Sequence, residues 1–446
     1  MNTGVAEREA GSDKSVRATR DIATREKRLS WLLMLYIATG LSFMLLPGTF
    51  LGVWNLITIS SRHAAGAVSA AWIQAHGHAQ IFGWIGTFIL GIGFYSIPKL
   101  RRAPPFALWT AWSCWLLWTA GVALRWFSTT YGWHWRTALP VSAALELTAF
   151  LIFFHSVSGH RPEESGKSRL DEWVIVVIVA TSGLLLALIL NLGSSVFLAW
   201  QGGSPELPQA FDQRFLALQT WGFLVPFVWG FSAKWLPIFL GLRPLGSRVL
   251  LWATAVNIAG VMTALAGWLP TAALLLLASV VLSTCSLRVL EPSERPPKTR
   301  GVHASMPFFV RLAYVWAIIS ALLTIWAANA GNAHGIWGAS RHALTVGFLG
   351  MMVFAIGQRV LPAFSGMRLL FSSRLMFAAM LLLAIGCGLR VTAEILAYQE
   401  LLQSAWSWLP VSAVIEMAAV TIFAVNLLLT FATKPDRAEL QYRSAA

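Results

Sequence analysis

Twelve stretches of this chain are apolar, almost free of charge and long enough to cross a bilayer, and short charged connectors separate them. They run over residues 30–57, 72–98, 104–127, 137–158, 173–200, 214–240, 248–268, 270–290, 308–330, 341–363, 374–397 and 408–431. At 1.5 Å per residue, each covers most or all of the ~30 Å hydrocarbon core. Backbone in lipid must satisfy its own hydrogen bonds, so these stretches are expected to be helices and the chain an all-α polytopic membrane protein. Only 12% of its residues are charged, where a soluble domain carries about 25%, which excludes an ordinary cytosolic enzyme.

Charge sets the expected orientation. With the N-terminus in the cytoplasm, 25 of the 33 Lys and Arg fall in cytoplasmic segments, and the outer loops hold only Arg62, Arg136, Arg214 and Arg341. Adding or removing one span would scramble that alternation, so both termini are placed inside. The formal charge of +14 then reads as cytoplasmic-loop Lys and Arg facing membrane lipid, with no nucleic acid implied. Residues 1–29 carry seven Lys or Arg and five Asp or Glu with no apolar core. They are expected to be a cytoplasmic tail rather than a signal peptide, with a membrane domain over 30–431 and a second tail over 432–446. Cys114, Cys285 and Cys387 all lie in apolar runs at unrelated spacing, so no disulfide or thiolate metal site is indicated.

The chain resembles itself. The fourth stretch opens Leu139-Pro-Val-Ser-Ala-Ala-Leu-Glu146 and the twelfth Leu409-Pro-Val-Ser-Ala-Val-Ile-Glu416. The second reads His78-Ala-Gln-Ile-Phe-Gly83 and ends at Pro98; the tenth reads His342-Ala-Leu-Thr-Val-Gly347 and ends at Pro362, at a constant offset of 264 residues. Arg125 and Arg390 match near the ends of the third and eleventh. The sixth is a fainter copy, with Gln219 over Gln80 and Pro237 over Pro98. Copies four helices apart suggest three four-helix units, whereas a major-facilitator transporter repeats every six.

Ionisable groups at membrane depth are costly and need a reason. In the expected topology His76, His78, Gln80, Glu146, Gln219, His342 and Glu416 all fall in the outer part of the membrane, and Arg125 and Arg390 come to the same level. His78 and His342 hold equivalent places, so a pseudo-symmetric fold could set two imidazoles face to face, which suits bis-His ligation of a haem iron. Arg125 and Arg390 could hold propionates. His76 lies roughly 200° around the helix from His78 and so could hold a copper or a second haem instead. Glu146 and Glu416 could relay protons, ligate metal or pair with the arginines; each histidine could equally be hydrogen-bonded to a neighbouring helix. His63, His134 and His334 fall in outer loops, and His155, His160 and His303 at the cytoplasmic side. No phosphate loop, nucleotide fingerprint, Cys-x-x-Cys-His haem attachment or Gly-x-Ser-x-Gly elbow is present.

The His76-x-His78 pair opening the second helix, and Arg341-His-Ala-Leu-Thr-Val-Gly347 opening the tenth, resemble the NnrS family. The resemblance is sharpest over residues 76–98 and 341–366. It implies a bacterial cytoplasmic-membrane protein with haem and copper, linked to nitric oxide. The layout is also similar to subunit I of haem–copper oxidases and nitric oxide reductases, in which a low-spin haem lies between histidines of helices 2 and 10 within three four-helix arcs. Carried over by position, His78 (or His76) and His342 would ligate that haem. The sixth and seventh helices here hold no histidine, where the oxidases place copper ligands, so an oxidase-type binuclear centre is not implied.

The expectation is therefore a haem-b protein that handles or responds to nitric oxide, with redox chemistry or electron transfer in the outer part of the bilayer. If it is an enzyme, it is an oxidoreductase acting on nitric oxide. The metal-ligating candidates are His76, His78, His342, Glu146 and Glu416, with copper or a second haem as the further cofactor. Two alternatives stay open: a divergent quinol-linked reductase, with quinol or another electron donor as partner, and a twelve-helix transporter without cofactor.

Overall fold

The computed structural model describes residues 3–101, 103–159, 170–299, 301–330, 334–366 and 368–433, and for 3–20, 22, 65 and 334 the backbone alone. His160, the side chain of His334 and the expected tail beyond residue 433 lie outside the described residues. Among the described residues the fold has twelve long helices. The first is α1 (Thr3–Phe43, continued through Met44–Phe50 and Leu51–Arg62), and the second is α2 (Ala70–His78, Ala79–Gly86, Thr87–Leu100). Then come α3 (Leu108–Tyr131), α4 (Trp135–Gly159), α5 (Glu172–Gln201), α6 (Gln209–Ala217, Leu218–Leu224, Val225–Leu240) and α7 (Ser247–Leu265). The rest are α8 (Leu269–Leu287), α9 (Met306–Asn329), α10 (His334–His342, Ala343–Gly350, Met351–Phe364), α11 (Ser373–Tyr398) and α12 (Ala405–Ala432).

Eleven of these are long and apolar enough to cross a membrane, as expected of a multi-pass protein. The twelfth, α3, carries five tryptophans and Arg125, and the indole N–H groups lower its hydropathy. Its outward rings, Trp109 and Trp112, are exposed, while Cys114 and Trp118 are buried. The backbone of α1 is helical from Thr3, so the expected tail continues into the first span without a break.

Three helices change pitch at matching places. π-helical segments begin immediately after His78 in α2, Ala217 in α6 and His342 in α10, and a fourth spans Met44–Phe50 in α1. A wider turn breaks the regular ladder and needs outside donors. Trp118 Nε1 of α3 donates to the Phe82 carbonyl at 3.1 Å, and Asn257 Nδ2 of α7 donates to the Trp221 carbonyl at 2.7 Å.

Close helix pairing also recurs. A Cβ placed on Gly121 of α3 would stand 2.8 Å from Glu146 Cγ of α4, and one on Gly386 of α11 would stand 2.7 Å from Glu416 Cγ of α12. Between them in the chain, Gly260 of α7 faces Leu276 of α8 in the same way, at 3.0 Å. Like α4 and α12, α8 opens with Leu-Pro, at Leu269-Pro270. In each pair glycine allows the backbones to approach closely.

Candidate functional site

A cavity of about 430 Å³ lies among these helices, within the range of small-molecule sites. His76, His78, His342, Arg390, Glu394 and Glu416 all line it, as do Arg125 and Gln219. Of the residues expected to form one polar layer, all but Glu146 line this one space. The two neighbours on α2 still face different ways around that helix, His76 toward α1 and His78 toward α4.

His78 is buried, stacks on Phe82 at 4.6 Å, and donates from Nε2 to Glu146 Oε1 at 2.7 Å. The other oxygen of Glu146 accepts from Asn191 Nδ2 of α5 at 3.2 Å. Asn191 Oδ1 accepts in turn from Arg125 Nη1 at 3.1 Å, which also donates to Ser195 Oγ at 3.2 Å. The result is a continuous buried network in which the carboxylate carries the histidine and the amide links it to the guanidinium. Arg125 therefore does not pair directly with Glu146. Asn191 and Ser195 stand four residues apart on one face of α5, a polar pair in an otherwise apolar span that the sequence reading passed over.

The matching histidine is held differently. His342 Nδ1 donates to the Gly338 carbonyl at 3.1 Å and lies 3.3 Å from Glu394 Oε2. Arg390 Nη2 donates to Glu394 Oε1 at 3.0 Å, one helical turn away. The partner of Arg390 is thus Glu394, not Glu416, and an i,i+4 spacing could have revealed it. Three buried polar positions are left over here. Among the described residues, Glu416 Oε1 accepts no hydrogen bond, Arg390 Nε and Nη1 donate none, and Glu394 Oε2 has only its charge attraction to the ring. Arg125 has no such orphaned nitrogen among the described residues.

His76 donates from Nδ1 to the Gly48 carbonyl at 2.8 Å, inside the π-helical segment of α1. Its ring rests against Gly52, where a Cβ would come 2.8 Å from Cε1. Gln80 completes the contact with α1 by donating to Thr49 Oγ1 at 3.1 Å. In all three histidines the bonded atom faces an oxygen that can only accept, so that nitrogen carries the proton. The second ring nitrogen of each has no hydrogen-bond partner among the described residues.

Asp212 of α6 and Arg341 of α10 also line the cavity, although the sequence reading set Arg341 in an outer loop and did not single out Asp212. Of the outer-loop histidines, His63 stacks on Trp406 at 5.2 Å and meets Gln403 at 3.1 Å. His303 bonds Ser305 on the other side of the molecule.

Among the described residues no three His, Cys, Asp or Glu side chains converge closely enough to hold a bare metal ion. No curated protein matches the chain. The family model described as "NnrS protein" matches residues 34–434, from within α1 to just past the end of α12. On that match the chain is a multi-pass membrane protein that belongs to the NnrS family.

Proposed function

We propose that this protein holds a haem b between His78 and His342 and uses it to handle or respond to nitric oxide. One observation carries the reading: each histidine on the cavity is fixed through one ring nitrogen by an oxygen acceptor, and the other nitrogen is left without a partner. This is the arrangement that orients metal-ligating histidines and raises their basicity. Side chains that do not converge on a point cannot cage a bare ion, whereas a macrocycle brings its own four nitrogens and needs only axial ligands from the protein. Arg390, whose Nε and Nη1 are buried without a partner among the described residues, is the better seat for a propionate than Arg125, whose Nη1 is tied to Asn191 and Ser195. When bound, the haem would supply one-electron redox chemistry at iron.

The protein's own groups have defined tasks in this reading. Glu146 and the Gly338 carbonyl hold the two rings and keep their protons on the bonded nitrogens, with Glu394 beside the second ring. His76, with its unpartnered nitrogen, is the candidate ligand for a second haem near the first; a copper there would need ligands beyond His76 and Glu416. Apolar lining residues such as Leu56, Ile73 and Leu349 give an uncharged gas a favourable way in from the lipid. The matching π-helical starts and the three glycine contacts support three four-helix arcs, similar to subunit I of haem–copper oxidases. The Lys and Arg distribution supports cytoplasmic termini in a bacterial inner membrane, with quinol or another donor supplying electrons. Purified protein expressed with adequate haem should give a b-type reduced-minus-oxidised spectrum that changes on adding nitric oxide; a spectrum without haem contradicts the reading.

A further inference from the structure

The loop Gly202-Gly-Ser-Pro-Glu-Leu-Pro208 joins α5 to α6. Its one large aliphatic residue, Leu207, is 5% exposed and lines the cavity, whereas Gly203, Ser204 and Pro208 are exposed. Both backbone hydrogen-bonding groups of Leu207 are met by a single side chain. Gln74 Nε2 donates to the Leu207 carbonyl at 2.9 Å, and the Leu207 N–H donates to Gln74 Oε1 at 2.8 Å. Gln74 stands on α2 one turn before His78, on the same face of the helix. At the other end of the loop, Arg136 Nη2 of α4 donates to the Gly202 carbonyl at 2.8 Å. The loop is thus a strap, pinned to α4 where it starts and to α2 where it ends.

Polar side chains follow the leucine. Gln209, Asp212 and Gln213, on the first turns of α6, line the cavity, as does Arg341 of α10. Asp212 and Arg341 attract one another, so this part of the wall is polar yet balanced in charge. Such a lining suits water and hydrophilic solutes, because it offers hydrogen bonds that hydrocarbon would deny them. We infer that the 202–208 strap is a gate between the aqueous surface and the cavity, with Leu207 as its plug and the Gln74 amide as its latch. It admits polar molecules that cannot arrive through lipid. The latch can release because its two neutral hydrogen bonds are exchanged for bonds to water when it opens, so their net worth is modest. Gly202 sits at φ +75°, which favours glycine, and a second glycine follows, so the pinned start of the strap can turn without strain. The gate does not depend on what the cavity holds.

Thiol labelling of the full-length protein in lipid nanodiscs, where both faces meet the solution, tests the gate. Ala217→Cys places a reporter on the cavity wall, about two turns beyond Gln209. Cys285→Ser removes the exposed native thiol and leaves the buried Cys114 and Cys387. The probe is a charged methanethiosulfonate, which does not enter lipid. With the strap intact the reporter should label slowly. Gln74→Ala, which removes both latch bonds, should speed labelling about tenfold or more. Leu207→Ala, which keeps those bonds and removes the plug, should speed it as well. Labelling of Cys114 or Cys387 identifies a variant that has not folded, and the other variant then carries the test. Pyridine haemochrome counts on the same samples keep the comparison at equal haem content. A substitution that leaves the rate unchanged in folded protein overturns the role given to that residue, and no change with either overturns the gate.

Discussion

The ring of His78 and the carboxylate of Glu146 meet at 2.7 Å, Nε2 to Oε1, with the glutamate fully buried. Glu416 holds the same place against Gly386 that Glu146 holds against Gly121, yet no ring donates to it. The two halves of the site share a frame and differ in wiring: α4 carries its histidine directly, while Glu394 of α11 faces the other.

Glu146 joins His78 to Asn191, so removing it breaks two buried hydrogen bonds at once. Glu146→Ala should lower stability by about 2–6 kcal/mol, roughly 1–3 for each of the two buried donors, on His78 and Asn191, left unpaired. Glu146→Gln keeps the shape, and should cost about 1–3 kcal/mol while weakening haem retention about 10–100-fold. Thermal unfolding in detergent and haem content measure the two effects separately.

The arginines should respond in opposite ways. Arg125→Gln breaks the bonds to Asn191 and Ser195 and should lower the unfolding temperature more than it lowers haem content. Arg390→Gln removes unpartnered donors and should lower haem content more than the unfolding temperature. Equal effects of the two substitutions on both readouts would contradict the assignment of the anion seat to Arg390.

Gly121→Ala and Gly386→Ala introduce a methyl group less than 3 Å from a glutamate Cγ in the facing helix. Each should destabilise by about 1–3 kcal/mol through overpacking. Gly193→Ala is the comparison: nothing lies within 4 Å of the added atom, so helix propensity should give a gain of about 0.5–1 kcal/mol. Unfolding curves for the three variants order the outcomes.

Asn257→Ala leaves the Trp221 carbonyl of the α6 π-helical segment without its side-chain donor. A buried carbonyl stripped of its partner costs about 1–3 kcal/mol. Amide exchange should quicken around residues 218–224 before it quickens elsewhere; unchanged protection there would show that the segment does not depend on Asn257.

Much of this was legible in the chain. Helix number follows from hydropathy because lipid permits so few structures, and most helix ends fall within a few residues of expectation. Past α1, the start of α10 shifts most, at His334 instead of 341, and α6 begins at Gln209 instead of 214, since Pro208 sets its N-cap and the first turn is polar enough to escape a hydropathy count. His76, His78, His342, Arg125, Arg390, Glu146 and Glu416 could be singled out because charge is rare in such spans. Their pairing could not, since Asn191 and Ser195 come from a helix with no charged residue near them in sequence. Glu394 was within reach, one turn from Arg390. The π-helical segments carry no local signal, because the donors that support them come from other helices. The third glycine pair was hidden because its partner is leucine, which no search for polar residues would pick out.

The central claim is axial ligation by His78 and His342. Wild-type protein, the two single alanine variants and the double variant should be purified from the same haem-supplied cells and compared by reduced-minus-oxidised spectrum and pyridine haemochrome count. The account predicts a b-type spectrum in the wild type, a reduced or altered one in each single variant, and none in a folded double variant. A double variant with wild-type haem content and an unchanged spectrum would contradict it.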